Sequence, residues 1–190
     1  MHPIRIPPGK TFIQIAEFIL LLAAVHLMNV VTGMWLSRFG ILPRAMAGLR
    51  GIVFGPLLHR DWSHLFANAT PLAGLLCILA FSNRHALWPN TAAIWLISGA
   101  AVWLVGRPAS VQVGASGLIY GLAAFLIASG WLHQDARSAF AALLVIFLYG
   151  SIVWGLLPSK PGVSWEGHLC GAFAGILVAN LPRLGSFMLR

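Results

Sequence analysis

Acidic side chains are nearly missing from this chain, which has four Asp and Glu in 190 residues against 12 Lys and Arg. Charged residues of both signs make up only 8%. A soluble domain carries roughly a quarter, so the chain lacks the ionic groups to cover a core in water. With 59% hydrophobic residues and a mean hydropathy of +0.86, it takes lipid as its solvent. Cysteine is also scarce. Cys77 and Cys170 both fall inside apolar runs, which excludes a disulfide framework and reads as two buried small hydrophobes. Internal repeats and low-complexity segments are absent, and no room is left for a separate soluble domain. The net charge of +8 raises the question of nucleic acid, and the placement of the cations answers it. Arg38, Arg60, Arg84, Arg107, Arg137 and Arg183 stand singly at the ends of apolar runs, as headgroup anchors do, and form no basic face.

A membrane span takes about 20 apolar residues. Runs bounded by charge, Pro or Asn predict six, near 12–32, 64–82, 90–105, 116–132, 138–157 and 166–187, in one integral membrane domain covering 1–190. The first run reads as a retained span instead of a signal peptide. It is longer than a usual apolar signal core, carries Glu17 and lacks a small-x-small cleavage site. Lys and Arg divide evenly between alternate loops: Arg5, Lys10, Arg84, Arg137, Arg183 and Arg190 face Arg38, Arg44, Arg50, Arg60, Arg107 and Lys160. Charge alone therefore sets no orientation. The 33–63 connection is too long for a turn and too apolar for a solvated loop, and is expected to lie in the interface. Trp62, Trp88, Trp131 and Trp165 stand near span ends as an aromatic belt.

Polar residues inside spans carry the functional information, because an unpaired polar group in hydrocarbon is costly. Three clusters stand out. His64 and Asn68 share one face at the start of the second span. Gly114-Ala115-Ser116-Gly117 opens the fourth, with Tyr120 one turn on. Glu166-Gly167-His168 opens the sixth, followed by Gly171 and Gly175. Spans two, four and six run in the same direction, so these starts lie at one membrane face. Gly171, Gly175 and Ala179 on one helix, with Gly117 and Gly121 on another, form small-residue seams that bring His168 toward Ser116. A serine hydroxyl needs a base, and histidine suits that task near neutral pH. The only acids are Glu17, Asp61, Asp135 and Glu166, and Glu166 stands about 200° around the helix from His168, so a dyad is expected and not a triad. The helix start at Ser116 favours developing negative charge, and His64 and Asn68 add side-chain donors.

His64-Leu-Phe-Ala-Asn68, Gly114-Ala-Ser116-Gly117 with Tyr120, His168-x-x-Gly171-x-x-x-Gly175 and the six-span plan together resemble the rhomboid intramembrane serine proteases. The resemblance covers nearly the whole chain and implies an all-α, six-transmembrane-helix rhomboid bundle. It makes Ser116 the nucleophile, His168 the general base, His64 and Asn68 the oxyanion donors, and Tyr120 and Gly114 their support. It implies no cofactor or metal. Its substrates are transmembrane proteins met in the lipid bilayer. It further implies a multi-pass protein of a bacterial plasma membrane, with a cytoplasmic N-terminus and a site opening outward. By the same resemblance the 158–165 loop (Pro158, Pro161, Gly162) is a cap and the fifth span a side gate. There are two departures: the Trp-Arg pair common in the family's first loop is missing, Trp35 and Arg38 being the nearest at an unsuitable spacing, and Glu166 stands close before the base.

Each cluster taken singly has a plainer reading. Ser116 serves as a helix N-cap, His64 and Asn68 as interhelical hydrogen-bond partners, and the glycines as packing. His59 matches a family position near the mouth of the site, yet reads more safely as a loop histidine. His2, His26, His85 and His133 read as interfacial or packing residues. His59 and His64 lack a third ligand for a metal. The rival to a protease is a catalytically silent rhomboid-like protein that binds transmembrane clients, and a small transporter would call for ionisable residues deep in the spans.

Overall fold

A computed structural model describes residues 8–82, 87–108, 110–158 and 164–188, with side chains within 9–181. The anchors Arg5, Arg84, Lys160 and Arg190, the histidines His2 and His85, most of the 158–165 cap and the Arg183 side chain lie outside that description. The described chain is helical: α1 (Pro8–Val31), α2 (Gly51–Phe54), α3 (Trp62–Ser82), α4 (Leu87–Val105), α5 (Ser116–His133), α6 (Ala136–Tyr149) and α7 (Trp165–Met188). Its extended pairing among the described residues is a single antiparallel bridge between Ile41 and Gln112. Five segments are long and apolar enough to cross a membrane: Gly9–Val31, Trp62–Ser82, Leu87–Val105, Ser116–His133 and Ala136–Leu156. With α7 packed among them, the protein is a multi-pass helical membrane bundle.

Local chemistry sets the helix ends. Asp61 accepts from the His64 backbone N–H at 2.7 Å and caps α3. Asp135 does the same for α6, accepting from the N–H groups of Arg137 and Ser138 at 3.1 Å each. Between α5 and α6, Gln134 takes a left-handed φ of 52° and reverses the chain. The third span, expected from residue 90, begins at Leu87 because Pro89 falls in its first turn, where the missing N–H has no intrahelical partner to lose. The fifth span departs from expectation at its other end. Its α-helix stops at Tyr149 and a 3-10 helix, Gly150–Leu156, completes the run. Gly150 and Ser151 interrupt the good helix formers there, and the tighter winding turns the Ile152 and Gly155 carbonyls to side-chain donors.

Helix α5 is the centre of the bundle, touching α3, α4, α6 and α7. Around it pack Leu72, Leu76 and Leu79 of α3, Ile94 of α4 and Ala174 of α7, with Leu122 and Phe125 contributed by α5. Lipid contributes no hydrophobic drive between helices, so close backbone approach must. A Cβ added at Gly171 would strike the Gly117 carbonyl, and one added at Gly175 would strike that of Gly121. The seam between the fourth and sixth predicted spans is therefore a backbone contact. The outer face of α6 carries Phe140, Leu143 and Phe147 toward the surroundings.

Replacing Gly175 by Ala is expected to cost about 1–3 kcal/mol, the usual range for overpacking, because the neighbouring carbonyl cannot yield. Gly9→Ala, where nothing lies within 4 Å, is expected to leave stability unchanged. Thermal unfolding of both variants in detergent micelles checks this, and equal midpoints would contradict it.

Candidate functional site

Ser116 is the first residue of α5. Its capping residue is Ala115, which offers no side-chain acceptor, so the first N–H groups of α5 stay uncapped. This corrects the reading of Ser116 as an N-cap: its hydroxyl is not spent on its own helix end. The approach to Ser116 is held by two ties. Ile41 and Gln112 exchange backbone hydrogen bonds at 2.9 and 2.8 Å, and the Gly114 N–H donates to the Gly55 carbonyl at 3.0 Å. Gly114 has φ +115°, and a Cβ there would lie 2.7 Å from Cε1 of His64. Only glycine allows both that backbone and that imidazole.

His168 is 8% exposed. Its Nδ1 lies 2.8 Å from the Gly155 carbonyl. A carbonyl only accepts, so Nδ1 carries the proton and Nε2 is left as the acceptor of the ring. The ring stacks on Tyr120, with centroids 4.1 Å apart and planes 7° from parallel. Tyr120 in turn donates its hydroxyl proton to the Ile152 carbonyl at 2.7 Å. A Cβ at Gly155 would run into that hydroxyl. The 3-10 segment thus orients both rings through carbonyls, without a carboxylate.

His64 shows the opposite tautomer. The Arg60 backbone N–H donates to its Nδ1 at 3.4 Å, which leaves Nε2 to carry the N–H. Asn68 is buried, and its amide donates to the His64 carbonyl at 2.7 Å while its Oδ1 has no partner. One amide proton is therefore committed within α3. Pro71 cannot donate to the carbonyl of Ala67, and both residues face the same space. That space is a cavity of about 590 Å³ lined by His64, Asn68, Ser116, Tyr120 and His168, with Arg60 and Arg107 also in its wall. Five of the six predicted site residues thus share one cavity, and Gly114 lies behind His64.

Glu166 binds Arg107 through two contacts, at 2.6 and 3.3 Å. The expected headgroup anchor Arg107 is therefore an ion-pair partner in the cavity wall. His59 lies in the loop before α3, as expected, but does not face solvent. It is fully buried, 5.2 Å from the His64 ring and 6.5 Å from that of His26, itself packed on Trp62. Burial, and then the neighbouring His64 and His26, lower its pKa from 6.5 to about 4. Asp61 is held below the usual carboxylate range, chiefly by the His64 N–H it accepts.

Sequence reading missed Gly155 and Ile152, which act through carbonyls that every residue possesses. Asp61 was open to it, since an Asp three residues before His64 at a helix start is a capping signal.

A family model described as the Rhomboid domain matches residues 47–183. An uncharacterized protein of Mycobacterium tuberculosis is 41% identical over 177 residues, which is 88% of this chain and 73% of that protein. An uncharacterized protein of Mycobacterium leprae is 38% identical over 179 residues, covering 89% and 70%. Rhomboid-like protease 5 of Toxoplasma gondii is 31% identical over 133 residues, 66% of this chain and 15% of that protein.

Buried neutral His59 gives the site an acid sensitivity. The unfolded chain takes up its proton near 6.5, whereas the folded chain resists to about 4. Stability is therefore lost as pH falls through this window and not further below it. His59→Gln is expected to show a shallower fall in thermal midpoint over the window than the parent chain; identical slopes would contradict the burial argument. Tyr120→Phe keeps the stack, loses the bond to Ile152, and is expected to cost about 1 kcal/mol in the same measurement.

Proposed function

Because this chain belongs to the rhomboid family, we propose that it is an intramembrane serine protease that cuts peptide bonds in or beside the transmembrane segments of other membrane proteins. The observation that carries the reading is the His168 ring, whose Nδ1 is tied to a carbonyl and whose face is tied to Tyr120, in the cavity that Ser116 also lines. In this reading the bundle has six spans, α7 being the sixth. The N-terminus is cytoplasmic and the cavity opens outward from a bacterial plasma membrane.

The chemistry follows from the tautomers. Nε2 of His168 takes the hydroxyl proton as Ser116 Oγ attacks the scissile carbonyl carbon. The negative charge that develops on the carbonyl oxygen meets the uncapped N–H groups at the start of α5, the Nε2–H of His64 and the remaining amide proton of Asn68. As the C–N bond breaks, His168 returns its proton to the leaving amine. Water then attacks the acyl-serine with His168 again as base, which frees the carboxylate and restores the hydroxyl. The imidazolium that forms midway keeps its Gly155 bond, so the carbonyl does the orienting that a carboxylate does in a triad. A transmembrane helix shields its own carbonyls, so the substrate must unwind to be attacked. That requirement selects segments with small or helix-breaking residues.

Glu166 enters this reading through Arg107 and the cavity wall. The rival, a silent binder of transmembrane clients, has no use for an oriented His168 or an uncapped Ser116.

Reconstituted with a panel of transmembrane substrates, Ser116→Ala and His168→Ala are each expected to lose at least about a thousandfold in rate while still retaining clients. A fluorophosphonate is expected to label the parent chain and not Ser116→Ala. Cleavage by Ser116→Ala at the parental rate would overturn the reading. The rate is expected to rise with pH as His168 loses its proton, and a flat profile between about pH 5 and about pH 8 would contradict its role as base.

A further inference from the structure

The connection between α1 and α3 holds a cluster of cations that the proposed proteolysis does not use. Arg38, Arg44 and Arg50 lie in it before Arg60, and no acidic residue occurs between Glu17 and Asp61. A 3-10 helix, Trp35–Phe39, opens the connection. Residues at i and i+3 eclipse in such a helix, which stacks the Arg38 guanidinium 3.6 Å over the Trp35 ring. The spacing that looked unsuitable for a Trp-Arg pair is the one this winding requires.

Arg38 also lies 5.4 Å from the centre of the Phe39 ring, and Arg50 lies 4.3 Å from the same centre. Arg50 donates to the Arg38 carbonyl at 3.4 Å. Beneath them, fully buried Asn29 fixes the turn, accepting from the Leu36 N–H at 2.9 Å and donating to the Ser37 hydroxyl at 2.9 Å. Two like charges are therefore gathered around one ring by a built turn.

Neither guanidinium has a carboxylate partner among the described residues. The acids are elsewhere: Asp61 and Asp135 cap helices, Glu166 holds Arg107, and Glu17 lies in α1. Contact with rings offsets part of the repulsion between two cations, and an anion placed between them removes the rest. Trp35, Met46, Val53 and Phe54 are exposed on the same connection. A free anion in water has no use for that apolar rim, whereas a lipid offers phosphate and acyl chain together. We propose that Arg38 and Arg50 bind the phosphate of an anionic phospholipid, with Trp35 and Phe54 against its chains.

Native mass spectrometry of the full chain, released from micelles doped with equal phosphatidylglycerol and phosphatidylcholine, tests this. The parent chain is expected to retain phosphatidylglycerol preferentially, and less so as salt rises. An Arg38→Gln, Arg50→Gln double variant is expected to bind it roughly thirtyfold more weakly, about fivefold per basic side chain at a lipid surface. Lys10→Gln, which removes one cation at the opposite end of α1, is expected to keep the preference. Helix content by circular dichroism confirms that each variant is folded. Equal retention of the two lipids by the parent chain, a salt-independent preference, or a loss in Lys10→Gln as large as in the double variant would overturn the proposal.

Discussion

Two helices that touch backbone to backbone set the geometry of everything else in this molecule. The Gly117 and Gly121 carbonyls of α5 occupy the room that side chains would take at Gly171 and Gly175 of α7. In lipid such contact supplies the attraction that burial supplies in water. It also fixes register. With Gly171 against Gly117, α7 begins about five residues beyond the start of α5, and His168, in its first turn, stands beside that start. Tyr120, one turn along α5, then meets the His168 ring face to face. The site inherits its alignment from packing that has no chemistry of its own.

The scarcity of acids has a counterpart in how His168 is held. A carboxylate behind an imidazole must be desolvated, and in a bundle surrounded by hydrocarbon that cost is high unless the charge is well paired. A backbone carbonyl carries no net charge and fixes the same tautomer. The 3-10 winding of Gly150–Leu156 supplies two of them, Gly155 to His168 and Ile152 to Tyr120. Three of the four acids instead cap a helix or meet a cation: Asp61 and Asp135 at helix starts and Glu166 against Arg107. In the proposed reaction the imidazolium is stabilised by dipoles that need no reorganisation as charge develops.

What the sequence disclosed and withheld follows from the kind of signal each feature leaves. Spans show as hydropathy: the predicted 64–82, 90–105 and 116–132 fall within α3, α4 and α5, 12–32 overruns α1 by one residue, and 138–157 continues past α6 into the 3-10 winding. The candidate-site side chains Ser116, His168, His64, Asn68 and Tyr120 stand out in the sequence because polar residues are rare in such runs, and they share one cavity. Main-chain partners were not legible. Nothing in the identity of Ile152 marks its carbonyl, and Gly155 shows only as a glycine near the end of an apolar run. The change from α to 3-10 winding at Gly150 hid the register that aims them. Burial of His59 was equally hidden, because its neighbours His26 and His64 come from separate elements. Arg38 and Trp35 looked mismatched for the same reason as Gly155: their contact depends on 3-10 geometry, which the apolar pattern does not report.

The connection between α1 and α3 ties an exposed aromatic side of the molecule to the cavity side. Its outer residues Trp35, Met46 and Phe54 are exposed, while Gly40, Gly51 and Gly55 are buried, and a Cβ at Gly51 would strike the backbone of Gly40. From that inner side Ile41 pairs with Gln112 and the Gly55 carbonyl holds the Gly114 N–H, so the strip of chain leading to Ser116 hangs on the same backbone that carries Arg38 and Arg50. Asn29 anchors this connection to α1, and Arg44 donates to the Leu104 carbonyl at the end of α4. A chain this apolar would be expected to let an interfacial segment float on the bilayer. Here the segment is bonded to α1, to the end of α4 and along its inner edge, so its backbone sets the position of Gly114 and, through it, of His64.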